Sequence, residues 1–296
     1  MSVDTARWPH DPHEDLSLGT RAQNADARRG RLVRGVMLAA ALLYVAPLLL
    51  APLGGIVYSA LKSGLGAAAR TFTQSDVLHA FFLTFLIMVI TVVVTSVFGV
   101  LIALVLVRDR FPGRRFLSAL VDLPLAVSPV IVGLMAVLLF GRGGWFESFI
   151  AARGIQVIFA LPSMVLVTIF ISIPFVIREV VPVLQELGTE EEQAAWTLGA
   201  SRLQTFFRVT LPNIRWGLLY GIALSSARAI GEVGAVLIVS GAIQGKTETA
   251  TLYILRAFDQ RQDAQGYVVA LTLAAFSILL LLFIEFFKRR KTREAD

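Results

Sequence analysis

Arg228 and Glu232 are the residues of this chain best placed to do chemistry, because both are charged, stand four apart and sit in apolar sequence. At that spacing they share one face of a helix. A charge at the centre of a bilayer costs about 2.5–3.5 kcal/mol on insertion scales, so the pair is expected to face protein rather than lipid. Two roles are open. The pair locks its helix to itself or to a neighbour, or Arg228 supplies positive potential to an anion crossing the membrane. Small residues surround it: Gly217, Gly221 and Ser225 recur every four positions, and Gly231, Gly234 and Ala235 follow. Such a stripe lets backbones approach closely, at a subunit interface, along a pore wall or inside one chain.

Other chemistries find little support. The chain has no cysteine, which excludes disulfides and thiolate metal sites. His10 and His13 lie in a polar tail and His79 stands alone, so no metal site is expected. There is no Ser/His/Asp set and no thiol nucleophile, so the chain is not expected to be an enzyme. Gly245-Lys246-Thr247 ends like a phosphate-binding loop, but position 240 is Ser where the loop needs Gly, and no strand precedes it. The chain is therefore expected to bind no cofactor.

Long apolar runs must position these residues. Of the 296 residues 56% are hydrophobic, and mean hydropathy is +0.73. A soluble domain averages about 45–50% apolar residues. Runs at 33–59, 77–107, 118–140, 158–182, 213–241 and 266–287 predict an all-α polytopic membrane protein with about six spans. Asp122-Leu-Pro124 and Ser128-Pro129 open the third run, and Pro162, Pro174 and Pro182 predict a bent fourth span. Asp122 is expected to snorkel or to pair. Residues 1–31 read as a disordered tail, 32–288 as the membrane domain and 289–296 as a basic tail. The first apolar run is too long, and too far from the start, to be a signal peptide.

The charge of +6 raises the question of nucleic acid, but the basic residues cluster at the edges of the apolar runs. With both termini inside, 19 Lys and Arg fall in inside segments or at the inner ends of the runs (Arg34, Arg178 and Arg215), 7 fall in outside loops, and Arg228 lies well within a span. This bias predicts a plasma-membrane protein with both termini and the 183–212 loop in the cytoplasm. The outer Arg142, Arg153, Lys246, Arg256 and Arg261 read either as a partner surface or as solvated loops.

The loop is polar, and its composition predicts a helix over 190–203. Thr189 is placed to cap it, and Glu190, Glu191 and Glu192 suit the positive end of its dipole. Ala194, Ala195, Leu198 and Leu203 form a small-to-apolar face. Gly199 permits a tight turn, and Leu211-Pro212 is expected to end the segment. From spacing alone, a docking helix and an interfacial helix lying on lipid remain open, though three consecutive glutamates disfavour an anionic leaflet.

The frame Gln193-Ala194-Ala195, Gly199, Val209, Leu211-Pro212 resembles the coupling loop of ABC-importer permeases, which carries Glu-Ala-Ala, then Gly, then Ile-x-Leu-Pro at this spacing. The departures are Gln for Glu and Val for Ile. The block 227–235, ARAIGEVGA, resembles sulfate and molybdate permeases. FPGRRFLSALVDLPLAVSPVIVGL at 111–134 and LVTIFISIPFVIREVVPVL at 166–184 resemble the W subunit of sulfate/thiosulfate permeases. The resemblance covers about residues 33–287. It implies a type I importer permease whose residues Glu192, Gln193, Ala194, Ala195, Gly199, Leu211 and Pro212 couple to a separate ATPase. It also implies a second permease subunit in a heterodimer, an ATPase dimer holding ATP and Mg, and a periplasmic or lipid-anchored sulfate-binding protein. The alternatives are permeation of molybdate or another oxyanion, or a secondary transporter, which should show inverted repeats.

Overall fold

The computed structural model describes the backbone of residues 12–62 and 64–292, with side chains for 34–62 and 64–282. Residues 1–58 and 59–296 form two compact units. The first is dominated by α1 (Pro12–Leu61), whose segment Arg34–Leu61 has 28 residues and a mean hydropathy of 2.3. At 1.5 Å per residue that is roughly 42 Å, enough to cross a bilayer with tilt. The segment expected as an unstructured tail is helical from Pro12 onward. Extending an existing helix fixes one residue per hydrogen bond gained, so elongation is far easier than nucleation. Residues 1–11 and 293–296, and the side chain of His13, lie outside the described residues.

The second unit is all helical among its described residues. It comprises α2 (Leu65–Thr71), α3 (Ser75–Arg108), α4 (Arg114–Ala126), α5 (Pro129–Phe140), α6 (Glu147–Ala151) and α7 (Leu161–Leu187). After α7 come α8 (Glu190–Thr197), α9 (Arg202–Thr205), a π-helical turn over Phe206–Thr210, α10 (Leu211–Ile230), α11 (Gly234–Ser240), α12 (Ala250–Asp259) and α13 (Asp263–Thr292). α7 is the hub. It runs parallel to α3, with Leu83 and Met164 in one core cluster, and Val100 and Val176 in the next. The two helices come close at Gly99, where an added Cβ would come within 2.8 Å of Val176 Cγ1. Side chains as large as Val at position 99 would push these helices apart.

Four helical segments are long and apolar enough to span on their own: Arg34–Leu61, Ser75–Arg108, Leu161–Leu187 and Asp263–Leu282. The other two expected spans are broken. α4 and α5 meet at 110°, and the helix through Ile230 meets α11 at 54°, so six spans result only if each bent pair is one. The first break follows from Pro129, which disfavours helical backbone in the residue before it. Ser128 accordingly sits at φ −60°, ψ 136°. The second break falls at Gly231, Glu232 and Val233.

The two breaks touch: a Cβ on Gly234 would lie 3.1 Å from Pro129 Cβ, and one on Gly133 2.9 Å from the Ala235 carbonyl oxygen. By contrast α7 is unbroken, its helix running on through Pro174 and Pro182. Pro162 stands in its first turn, where the missing N–H has no intrahelical partner to lose. Inside the helix a proline costs about 3 kcal/mol, which packing of α7 against α3, α4 and α10 outweighs.

Candidate functional site

The loop between α7 and α10 is built as two short helices around a glycine turn. Gly199 has φ +85°, a left-handed conformation that residues with a Cβ rarely adopt. It splits the helix expected over 190–203 into α8 and α9. Each has its own start. Thr189 does not cap α8 with its side chain; its hydroxyl instead accepts a hydrogen bond of 2.9 Å from Gln193 Nε2. α9 starts on a capping box missed in the sequence: Gln204 N–H donates to Ser201 Oγ at 3.3 Å, and Ser201 N–H to Gln204 Oε1 at 2.9 Å. The signal was present as Ser-x-x-Gln.

Leu211-Pro212 does not end the segment, as expected, but begins α10. Pro212 has no N–H, and its ring would clash with a carbonyl one α-turn earlier. The π turn just before it widens the helix and relieves this, with Leu211 N–H donating to the Phe206 carbonyl five residues back. The chain thus passes from the loop into the membrane helix without a hinge.

Of the expected coupling residues, Glu192 behaves unlike the rest. It is buried and turned inward, 8% exposed, while Gln193 and Ala194 are exposed and Ala195 is half-buried. Arg108, the last residue of α3, donates from Nη2 to Glu192 Oε1 at 3.1 Å, and its Nε lies 3.1 Å from Oε2. Arg108 Nη1 also donates to the Leu184 carbonyl at 3.2 Å. Thr210, from the π turn, donates to Glu192 Oε1 at 2.9 Å. Neighbouring Glu191 accepts from Asn213 Nδ2. One carboxylate therefore ties α8 to α3, and through Arg108 and Thr210 to α7 and the start of α10.

The same loop carries exposed apolar side chains. Leu198 is 88% and Leu203 71% exposed, with Trp196 and Phe207 beside them in sequence and also exposed. The sequence singles out Leu198 and Leu203 for contact but not Trp196 or Phe207. A large apolar area left open on a polar loop marks a contact surface.

In the membrane region Arg228 Nη1 stands 2.6 Å from Glu232 Oε2, so the expected i, i+4 pair forms. Glu232 does more. Its Oε1 accepts from Ala235 N–H at 2.8 Å in the first turn of α11, and its carbonyl accepts from Thr251 Oγ1 at 3.0 Å. Its side chain is 2% exposed against 27% for Arg228, so the carboxylate is a structural staple across the second break.

The small-residue stripe packs inside the chain. A Cβ on Gly217 would lie 2.9 Å from the Glu179 carbonyl oxygen, and one on Gly221 2.9 Å from Val176 Cα, so α10 rides directly on α7. Ser225 reaches Thr95 Oγ1 on α3 at 3.1 Å. Gly234 serves the contact between breaks. Gly231 departs from the expected stripe: it is exposed, and a Cβ there would meet only the Ala227 carbonyl oxygen of its own helix, at 3.5 Å.

Two further acidic residues pair. Asp122 Oδ1 accepts from Arg178 Nε at 3.0 Å, as one of its two expected roles required. In the 242–265 stretch Arg256 is not a free cation. It grips buried Glu248 through Nε–Oε1 at 2.6 Å and Nη2–Oε2 at 2.9 Å, and this bond raises its already high pKa. Tyr253 beside it is pushed above the ordinary phenol value by burial, with Arg256 opposing. Thr247 of the Gly-Lys-Thr run is spent on the loop itself, donating to the Ser240 carbonyl at 2.7 Å. Among the described residues no group of three metal-ligating side chains comes together.

Comparison with known proteins adds the following. Residues 95–293 match the family model described as binding-protein-dependent transport system inner membrane component. The sulfate transport system permease protein CysW of Synechocystis is 44% identical over 258 residues, 87% of this chain and 94% of that one. Its Escherichia coli K12 counterpart is 42% identical over 266 residues, 90% and 91% of the two chains. The permease protein CysT of Salmonella typhimurium is 38% identical over 253 residues, 86% of this chain and 91% of that one. A chain of a bacterial alginate ABC transporter crystal structure superposes with a TM-score of 0.73 at 18% identity, covering 90% of this chain and 97% of that one, a likeness of fold.

Proposed function

This chain belongs to the binding-protein-dependent transport system inner membrane component family, and on that premise we propose that it is one permease subunit of an ATP-driven importer of sulfate or thiosulfate. The single observation that carries the reading is the set of exposed apolar side chains on the α8–α9 loop, which Glu192 ties to the membrane helices. The substrate class rests on the sulfate permease relatives, which match across most of the chain.

The mechanism follows from the tether. A separate ATPase dimer, which holds the ATP and Mg, receives Trp196, Leu198, Leu203 and Phe207 in a groove. When ATP closes the dimer, the loop moves with it. Glu192 passes the displacement to α3 through Arg108, and the π turn passes it to α10 without a hinge. The bent pairs α4–α5 and α10–α11 then rearrange around their shared contact at Pro129 and Gly234. A second permease subunit completes the path, and a sulfate-binding protein delivers the anion from outside. Both termini and the 183–212 loop are placed on the cytoplasmic side, a reading that the basic-residue bias supports.

The test is ATP-dependent uptake of labelled sulfate into vesicles holding this chain with its partner permease, ATPase and binding protein. Uptake blocked by thiosulfate and not by molybdate is the expected result. ATP-dependent uptake of molybdate without sulfate uptake would keep the transport mechanism and overturn the substrate.

A further inference from the structure

A cavity of about 270 Å³ opens between the ends of α3, α4 and α7, and its polar lining comes from three side chains not used above together with the Asp122–Arg178 pair. Arg114, Ser118 and Asp122 project from α4, Arg178 and Gln185 from α7, and Leu106 of α3 forms an apolar wall. Two guanidinium groups and one carboxylate leave the lining with a net positive charge. The hydroxyl and the amide add neutral donors. Among the described residues Arg178 pairs with Asp122 alone, and the two side chains are 58% and 45% exposed. Ion pairs this exposed are weak, so Arg178 can exchange its partner at little cost.

We propose that this cavity is a low-affinity site for a tetrahedral oxyanion on the cytoplasmic side of the pathway, a proposal that rests on the transport reading above. Arg114 and Arg178 are its cationic ligands, and Ser118 and Gln185 donate hydrogen bonds. Guanidinium forks match such anions in geometry and charge. Asp122 is the internal counter-ion: it competes with the anion for Arg178 and keeps binding weak. A transport pathway needs that, because conduction requires sites that release what they bind. The volume holds an oxyanion with part of its hydration shell.

The cavity is also wired to the docking loop. Leu106 lies two residues before Arg108, which hydrogen-bonds both Glu192 of α8 and the Leu184 carbonyl, next to Gln185. The same two helix ends thus form the cavity wall and the tether. Movement of the loop changes the spacing between the α3 and α7 walls, and with it the grip on the anion.

The same chemistry fits a phospholipid phosphate, and the experiment separates the two sources. Sulfate binding is measured by titration calorimetry on the permease–ATPase complex, both in detergent after delipidation and in nanodiscs containing phosphatidylglycerol. Uptake is measured in vesicles of the same variants. Asp122→Asn is expected to tighten sulfate binding about three- to five-fold and to slow uptake, since a competitor worth up to roughly 1 kcal/mol is removed. Arg178→Gln is expected to weaken binding in both settings, and Arg178→Lys to recover part of it with the fold intact. Wild-type sulfate uptake with unchanged binding and uptake in both Asp122→Asn and Arg178→Gln overturns the site while leaving the transport reading standing. Loss of copurified phosphatidylglycerol in Arg178→Gln, with sulfate binding unchanged, overturns it in favour of a lipid site. Absence of sulfate uptake by the wild-type complex instead removes the transport reading on which the site rests.

Discussion

Arg108 and Glu192 join the last residue of α3 to the first turn of α8 through contacts of 3.1 Å from both Nη2 and Nε. Eighty-four positions apart in sequence, they convert a surface loop into an extension of the membrane helices. Removing one partner leaves the other charge half-buried without its counter-ion, a cost of about 1–3 kcal/mol. We expect Arg108→Gln and Glu192→Gln to keep ATP hydrolysis but lower uptake per ATP by about two- to thirty-fold, the range of typical coupling energies. The ratio of labelled sulfate taken up to phosphate released measures this. A ratio equal to that of the wild type in both variants would remove the tether from the mechanism.

Gly199 is constrained by conformation and not by space, since a Cβ there has nothing within 4 Å. Gly199→Ala should therefore cost about 1–2 kcal/mol locally, and Gly199→Asn less, because Asn tolerates the left-handed region. Gly199→Trp should insert normally and abolish uptake by obstructing the docking face. Normal uptake with Trp at this position would contradict that role for the loop.

Gln193→Glu is expected to leave uptake within about two-fold of the wild type. Thr189 Oγ1 accepts from Gln193 now, and its hydroxyl can donate to a carboxylate after the change, so the local bond survives. A severe loss in an uptake assay would show that Gln193 meets a partner that rejects a charge.

Arg228→Ala leaves the buried Glu232 carboxylate uncompensated and should destabilise the chain by about 3–5 kcal/mol, read as a lowered unfolding midpoint in detergent. The double variant Arg228→Met with Glu232→Gln should regain most of that stability. Uptake measured on the double variant then separates the roles: recovery assigns Arg228 to structure, and continued loss with the fold restored assigns it to the anion path.

Tyr253 makes a prediction about pH. Its phenol is raised above 10.0 mainly by burial, so the folded state holds the proton more tightly than the unfolded chain does. Its contribution to stability is whole below about pH 10 and is lost as pH rises through the folded value. Thermal melts between pH 8 and 11 should fall at the alkaline end, and Tyr253→Phe should flatten that fall. An identical alkaline slope in the variant would place the titration elsewhere.

The sequence by itself determined the membrane class, the number of apolar stretches and the local pairing of Arg228 with Glu232. Each rests on information carried within one helix or one run: hydropathy over about 20 residues, basic residues at its edges, and an i, i+4 spacing. The position of the glycine turn at 199 was legible for the same reason. Only the tertiary structure decided which spans are broken. The helix breaks at Ser128-Pro129, with 110° between its two halves, while α7 runs unbroken through Pro174 and Pro182. Tertiary structure also decided that Glu192 faces inward to Arg108 while Leu198 and Leu203 face outward, and that Gly217 and Gly221 serve contacts within the chain. These depend on which helix lies beside which, and no spacing along the sequence encodes a neighbour eighty residues away.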